Sequence, residues 1–96
     1  MKTPEYIVLS RLTAEGRKTL RTNPDRLLEV NEEIDKMGAK VMRQYALLGN
    51  YDFLTILEAP DNETVAKIMV ELGARGSVET ITLPAMEVDA FLASMK

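Results

Sequence analysis

Residues 47–61 read LLGNYDFLTILEAPD. Two leucines run into Gly49-Asn50, a tyrosine–aspartate pair follows, and a five-residue apolar-rich run, Phe53 to Leu57, leads to Glu58-Ala59-Pro60-Asp61. Gly and Asn supply the positive φ that the centre of a two-residue hairpin turn needs. With such a turn, Leu48 faces Tyr51, Leu47 faces Asp52, Tyr45 faces Leu54 and Arg43 faces Ile56. The strand after the turn, over 51–58, is apolar on both parities: Phe53 and Leu57 one way, Leu54 and Ile56 the other. A strand of that kind lies in the middle of a sheet and is covered on both faces.

The chain on either side supplies the remaining elements. Residues 5–12, EYIVLSRL, form a second strand apolar on both parities, with Tyr6 and Val8 opposed to Ile7 and Leu9. Thr13 is an N-cap for a first helical turn, with Glu15 favourably placed for the helix dipole. Gly16 and RTNPD at 21–25 are expected to interrupt that turn. Asn23-Pro24 then signals a helix over 24–37, with Leu27, Val30, Ile34 and Met37 on one stripe and Gly38 at its end. Residues 39–48 read as a more polar edge strand. Pro60-Asp61 opens a helix striped by Val65, Ile68, Met69 and Leu72 and stopped by Gly73. Residues 77–83 alternate as a second edge strand. Pro84 is expected to open a short C-terminal helix carrying Val88, Phe91, Leu92 and Met95.

The order β-α-β-β-α-β plus a terminal helix predicts a single α+β domain over 1–96. It is a ferredoxin-like split βαβ with a four-stranded antiparallel sheet ordered 4-1-3-2. That order puts the first and third strands in the centre, and these are the two apolar on both faces. Two helices cover only one face of such a sheet, so the other is expected to be buried against a second copy. The hairpin register sorts the second and third strands into two sets. Met42, Gln44, Ala46, Leu48, Phe53, Thr55 and Leu57 are assigned to the helices. Val41, Arg43, Tyr45, Leu47, Asp52, Leu54 and Ile56 are assigned to the open face, and a one-residue bulge would exchange the sets locally.

Composition excludes several function classes. The 96 residues contain no cysteine and no histidine. No disulfide, thiolate nucleophile, His-activated serine (Ser10, Ser77 or Ser94), haem or His-based metal site is therefore expected. No cofactor and no metal ligands are assigned. The net charge is −3, and the basic residues Arg11, Arg17, Lys18 and Arg21 are balanced by Glu15, Asp25, Glu29, Glu32 and Glu33. That pattern is a solvated helix face rather than a nucleic-acid surface. GARG at 73–76 is a helix stop and a turn, not a phosphate loop, and 61–64 is an N-cap with its first turn. No apolar run reaches bilayer-spanning length. The opening residues, MKTPEYIVLSRL, do not read as a signal peptide. The expected location is the cytoplasm.

YALLGNYDFLTILEAPD, preceded by TAEGRKTLRTNPDRLLEVNEEIDKMGAKV, resembles the GYD-domain family. The family's glycine, tyrosine and aspartate are matched by Gly49, Tyr51 and Asp52. The resemblance covers nearly the whole chain. It implies a ferredoxin-like domain of the dimeric α/β barrel type, with no catalytic residue to carry over. The one constellation suited to a ligand is Arg43, Tyr45, Tyr51 and Asp52: two phenols, a cation and an anion beside aliphatic walls. Tyr51 and Asp52 are strand neighbours and share a pocket only if the hairpin end is twisted or bulged. The simpler reading makes Asp52 a hydrogen-bond acceptor for turn backbone, or a partner of Arg43. Three functional readings follow. One is a self-associating, non-catalytic module with a small-molecule site at its interface. The second is a cofactor-free enzyme acting on a small substrate, for example an aromatic one, in the helix–sheet cleft. The third is a purely structural oligomer.

Overall fold

The computed structural model describes residues 3–96; Met1 and Lys2, at the head of the segment weighed as a signal peptide, lie outside them. The chain runs β1 (Glu5–Leu12), α1 (Ala14–Thr22), α2 (Arg26–Lys36), β2 (Lys40–Ala46), β3 (Phe53–Glu58), α3 (Asn62–Ala74), β4 (Val78–Ala85), α4 (Val88–Ser94). The strands form one antiparallel sheet in the order β2-β3-β1-β4, which is the predicted order read from its other edge. The doubly apolar strands β1 and β3 occupy the centre. The architecture is α+β and ferredoxin-like.

Pairing aligns residues into rows across the sheet. On the helix side, Val41, Leu57, Tyr6 and Pro84 form one row, and Gln44, Thr55, Val8 and Thr82 the next. Tyr6, Val8 and Leu57 are buried there with Ile34 of α2 and Val65, Ile68 and Leu72 of α3. Leu57 is 0% exposed. The Tyr6 hydroxyl donates to Asn62 Oδ1 at 2.6 Å, so this core phenol keeps a partner.

The structure corrects several local expectations. Gly16 does not interrupt α1, which continues to Thr22 from a Thr13 cap whose Oγ1 accepts the Gly16 N–H. Asn23 closes α1 by donating its N–H to Thr19 O rather than capping α2, and α2 begins at Arg26. Helix α3 runs past Gly73 to Ala74, and the backbone reverses at Gly76. Pro84 lies inside β4, opposite Tyr6. It needs no N–H there because β4 is an edge strand with one side unpaired. The pairing of β2 with β3 slips between Val41 and Arg43, so Met42 is extra and Val41 turns to the core. This is the local exchange of faces a bulge produces.

Candidate functional site

Three places bear on function: the 47–52 hairpin, the open face of the sheet and a cavity beneath the helices. At the hairpin the register is the predicted one, with Ala46 opposite Phe53 and Tyr45 opposite Leu54. Leu47 N–H donates to Asp52 O at 2.8 Å. The turn differs in form. Gly49 has φ +111° and Asn50 does not have positive φ, so the turn is not the kind with positive φ at both central residues, and the strands end at Ala46 and Phe53 rather than running up to Gly49-Asn50. Gly49 is thus required by backbone conformation.

The four residues grouped from the sequence separate into three small assemblies. Arg43 Nη1 donates to the Tyr45 hydroxyl at 3.0 Å. Tyr51 lies beneath the Arg11 guanidinium, 5.5 Å from ring centre to Cζ, while Arg11 Nε donates to Asn50 O at 2.8 Å. Asp52 Oδ2 accepts the Leu12 N–H at 2.7 Å, and its own N–H donates to Ser10 O. Arg17 of α1 stands 3.8 Å from the same oxygen, on an exposed side chain where such a pair contributes little. The partner of Asp52 is therefore the end of β1, not the turn and not Arg43. Strand alternation stops at Phe53, which frees Asp52 to bend toward β1. Together the tyrosine and aspartate tie the hairpin to the central strand.

Asp52→Ala removes the acceptor of the Leu12 N–H. A hydrogen bond to a charged group contributes about 1.5–3 kcal/mol when buried. Partial exposure of Asp52 lowers the expected loss to about 1–2 kcal/mol. Asp52→Asn keeps an oxygen in place and should lose less than half of that. Urea unfolding of both variants checks the order.

The open face consists of two apolar rows between two charged ends. Arg43, Ile56, Ile7 and Leu83 form one row, and Tyr45, Leu54, Leu9 and Ile81 the other. Tyr45, Ile81 and Leu83 are each about half exposed. Arg11 and Glu79 bound one end, and Glu5, Glu58 and Lys40 the other. No helix among the described residues covers this face. Helix α4 buries none of its residues, and it carries Val88, Phe91, Leu92 and, just beyond, Met95 in the open.

Between the helices and the sheet lies a cavity of about 140 Å³. None of Arg43, Tyr45, Tyr51 and Asp52 lines it. Its walls are mainly aliphatic, and its polar groups include Asn31, Gln44 and Thr55. These three form a chain: Asn31 Nδ2 donates to Gln44 Oε1 at 2.8 Å, and Gln44 Nε2 to Thr55 Oγ1 at 2.9 Å. Among the described residues, Arg26 and Arg75 are the charged groups of the lining. Glu33 joins them, accepting from Arg26 Nη1 at 2.9 Å and pairing with Arg75 Nη1 at 2.6 Å. The Arg75 hydrogen bond, followed by that from Arg26, holds the Glu33 carboxyl below its ordinary value against the opposing effect of desolvation.

The sequence reading did not single out this set. The hairpin register did place Gln44 opposite Thr55 on the helix side, two polar residues in an otherwise apolar layer. Arg26, Glu29 and Glu33 also share a face of α2 by spacing. The arrival of Arg75 after α3 had no local signal.

The model of the GYD domain matches residues 6–95, which is nearly the whole chain and includes the hairpin that ties β3 to β1. This chain belongs to the GYD-domain family. A relative from Thermus thermophilus is 49% identical over 94 residues, covering 97% of this chain and 99% of its own. It is named glutamine synthetase and cystathionine beta-lyase binding protein. Among solved structures, this GYD domain is similar to MtbAldR (TM-score 0.65, 22% identity, 88% of this chain). It is also similar to the leucine response regulatory protein LrpA of Mycobacterium tuberculosis (TM-score 0.61, 12% identity, 88% of this chain). The chain spans about half the length of each, 52% and 51% respectively. TTHA0845 from Thermus thermophilus is matched over 88% of this chain and 95% of its own, with TM-score 0.57 and 22% identity. At these identities the likeness establishes the ferredoxin-like fold alone. Among the described residues, no helix is long and apolar enough to cross a membrane.

Proposed function

We propose that this GYD domain is a non-catalytic binding module that self-associates through the open face of its sheet and, so assembled, binds enzymes of amino-acid metabolism. The uncovered pair of apolar rows carries the reading. Ile7, Leu9, Leu54, Ile56, Ile81 and Leu83 form one contiguous apolar surface with charged ends. That is the core-and-rim layout of a protein interface. A sheet-to-sheet dimer follows from it, with the same face contributed by both copies.

Within that interface Arg43 and Tyr45 stand at the β2 edge, and Tyr51 with Arg11 stands at the hairpin end. A small molecule held between copies would meet those groups, while Asp52 keeps its structural bond to Leu12. The exposed apolar side of α4 is a second surface open to other proteins. The named relative supports a protein partner, because it aligns end to end at 49% identity and is described as binding two enzymes.

The test uses the immobilised full chain and the purified glutamine synthetase and cystathionine beta-lyase of the same organism. Saturable binding of at least one, in the micromolar range or tighter, is expected by biolayer interferometry. Failure of both to bind at tens of micromolar removes the partner claim.

A further inference from the structure

The cavity under the helices combines features that core packing does not call for. Its body is aliphatic, with Val30, Leu57 and Leu72 among its walls. Its uncharged polar residues include Asn31, Gln44 and Thr55, which are already hydrogen-bonded to one another. The charged residues of its lining are Arg26 and Arg75, and no acidic residue among the described ones is part of that lining. Glu33 gathers the two guanidiniums at one place. Their other contacts are longer and more exposed, Glu29 at 3.2 Å from Arg26 and Glu71 at 3.5 Å from Arg75. A ligand carboxylate would replace those two outer contacts and leave Glu33 in place. A cavity of this volume accommodates a benzene-sized body, and a planar guanidinium presents paired donors to a carboxylate.

We propose that the helix–sheet cavity is a binding site for a compact apolar carboxylate of about the size of benzoate. Its hydrocarbon body lies among Val30, Leu57 and Leu72, and its carboxylate is held by Arg26 and Arg75. The site is on the helix side of the sheet, so it is independent of association through the open face. It is also separate from the hairpin residues.

The probes are sodium benzoate and toluene, which differ in charge but little in size, each at matched ionic strength. Amide NMR titration of the full chain should show saturable shifts with benzoate at Val30, Gln44 and Leu72, together with a raised melting temperature. Toluene should bind about tenfold or more weakly, the equivalent of one lost charge-assisted contact. Arg75→Gln should weaken benzoate about tenfold and leave toluene unchanged, and Val30→Phe should block both by filling the cavity. Circular dichroism reports whether the variants fold, and the wild-type comparison decides the matter if they do not. Absent or unsaturable benzoate shifts, shifts confined to other sites, or toluene binding as tightly as benzoate would overturn the proposal.

Discussion

Ile56→Lys is expected to weaken the proposed sheet-to-sheet dimer by at least about 100-fold while the monomer stays folded. Ile56 sits between Arg43 and Ile7 in the more central part of the open face, turned away from the helices. An ammonium placed there meets water in the free monomer, where Ile56 is only partly covered. In the sheet-to-sheet dimer it is desolvated without a carboxylate partner. That costs several kcal/mol, and two-fold symmetry imposes the cost twice in each dimer. Sedimentation velocity reads the loss of association, and far-ultraviolet circular dichroism reads the retained fold. A variant that unfolds rather than dissociates would place Ile56 against the helices and contradict the pairing.

Gly16→Ala is expected to destabilise the fold by about 2–3 kcal/mol, the range of overpacking a close contact. The sign makes it informative. In an exposed helix interior, alanine is about 1 kcal/mol better than glycine. Here a Cβ would overlap the carbonyl oxygen of Ser77 and crowd Leu12 Cδ2 at 3.2 Å. Ser77 cannot easily give way. Its carbonyl accepts the Thr13 N–H at 3.0 Å, and the Thr13 hydroxyl donates to Gly76 O at 2.7 Å. The start of α1 is thereby fastened to the turn before β4, and the missing side chain of Gly16 permits the approach. Urea unfolding measures the change; a stabilised Gly16→Ala would show that α1 has room to move.

The fold was legible because its strongest signals were redundant. Tyr6, Val8, Ile7 and Leu9 in one strand, and Leu54, Ile56 and Leu57 in another, required two central strands. The element order independently placed the same two in the centre. The hairpin fixed the register from Gly49 outward, so Arg43, Tyr45, Leu54 and Ile56 fall on one face from spacing alone. What escaped depends on tertiary neighbours. Gly16 looks like a helix breaker when the Ser77 carbonyl above it is unknown. Pro84 looks like a helix start because an edge strand's unpaired side is invisible in sequence. Asp52 follows strand alternation only while the ladder continues, and one residue before β3 it bends to the Leu12 amide instead. The cavity joins Arg26, Gln44 and Arg75 from three separate parts of the chain, and no periodicity relates them.

The residues that name the family receive a structural explanation at the hairpin. Gly49 supplies the left-handed backbone, Tyr51 carries Arg11 on its ring, and Asp52 holds the amide at the end of β1. Their effect is to keep β3 against β1 with Ile56 and Leu54 beside Ile7 and Leu9. The hairpin thus shapes the open face without belonging to its apolar rows.

Sedimentation equilibrium of the wild-type chain tests the central claim most directly. The chain mass is 10.7 kDa. Association through the open face predicts twice that mass, or a higher even multiple, at micromolar concentration. About 1,200–2,000 Å² should be buried in each sheet-to-sheet contact. A mass of 10.7 kDa across the micromolar range would contradict it.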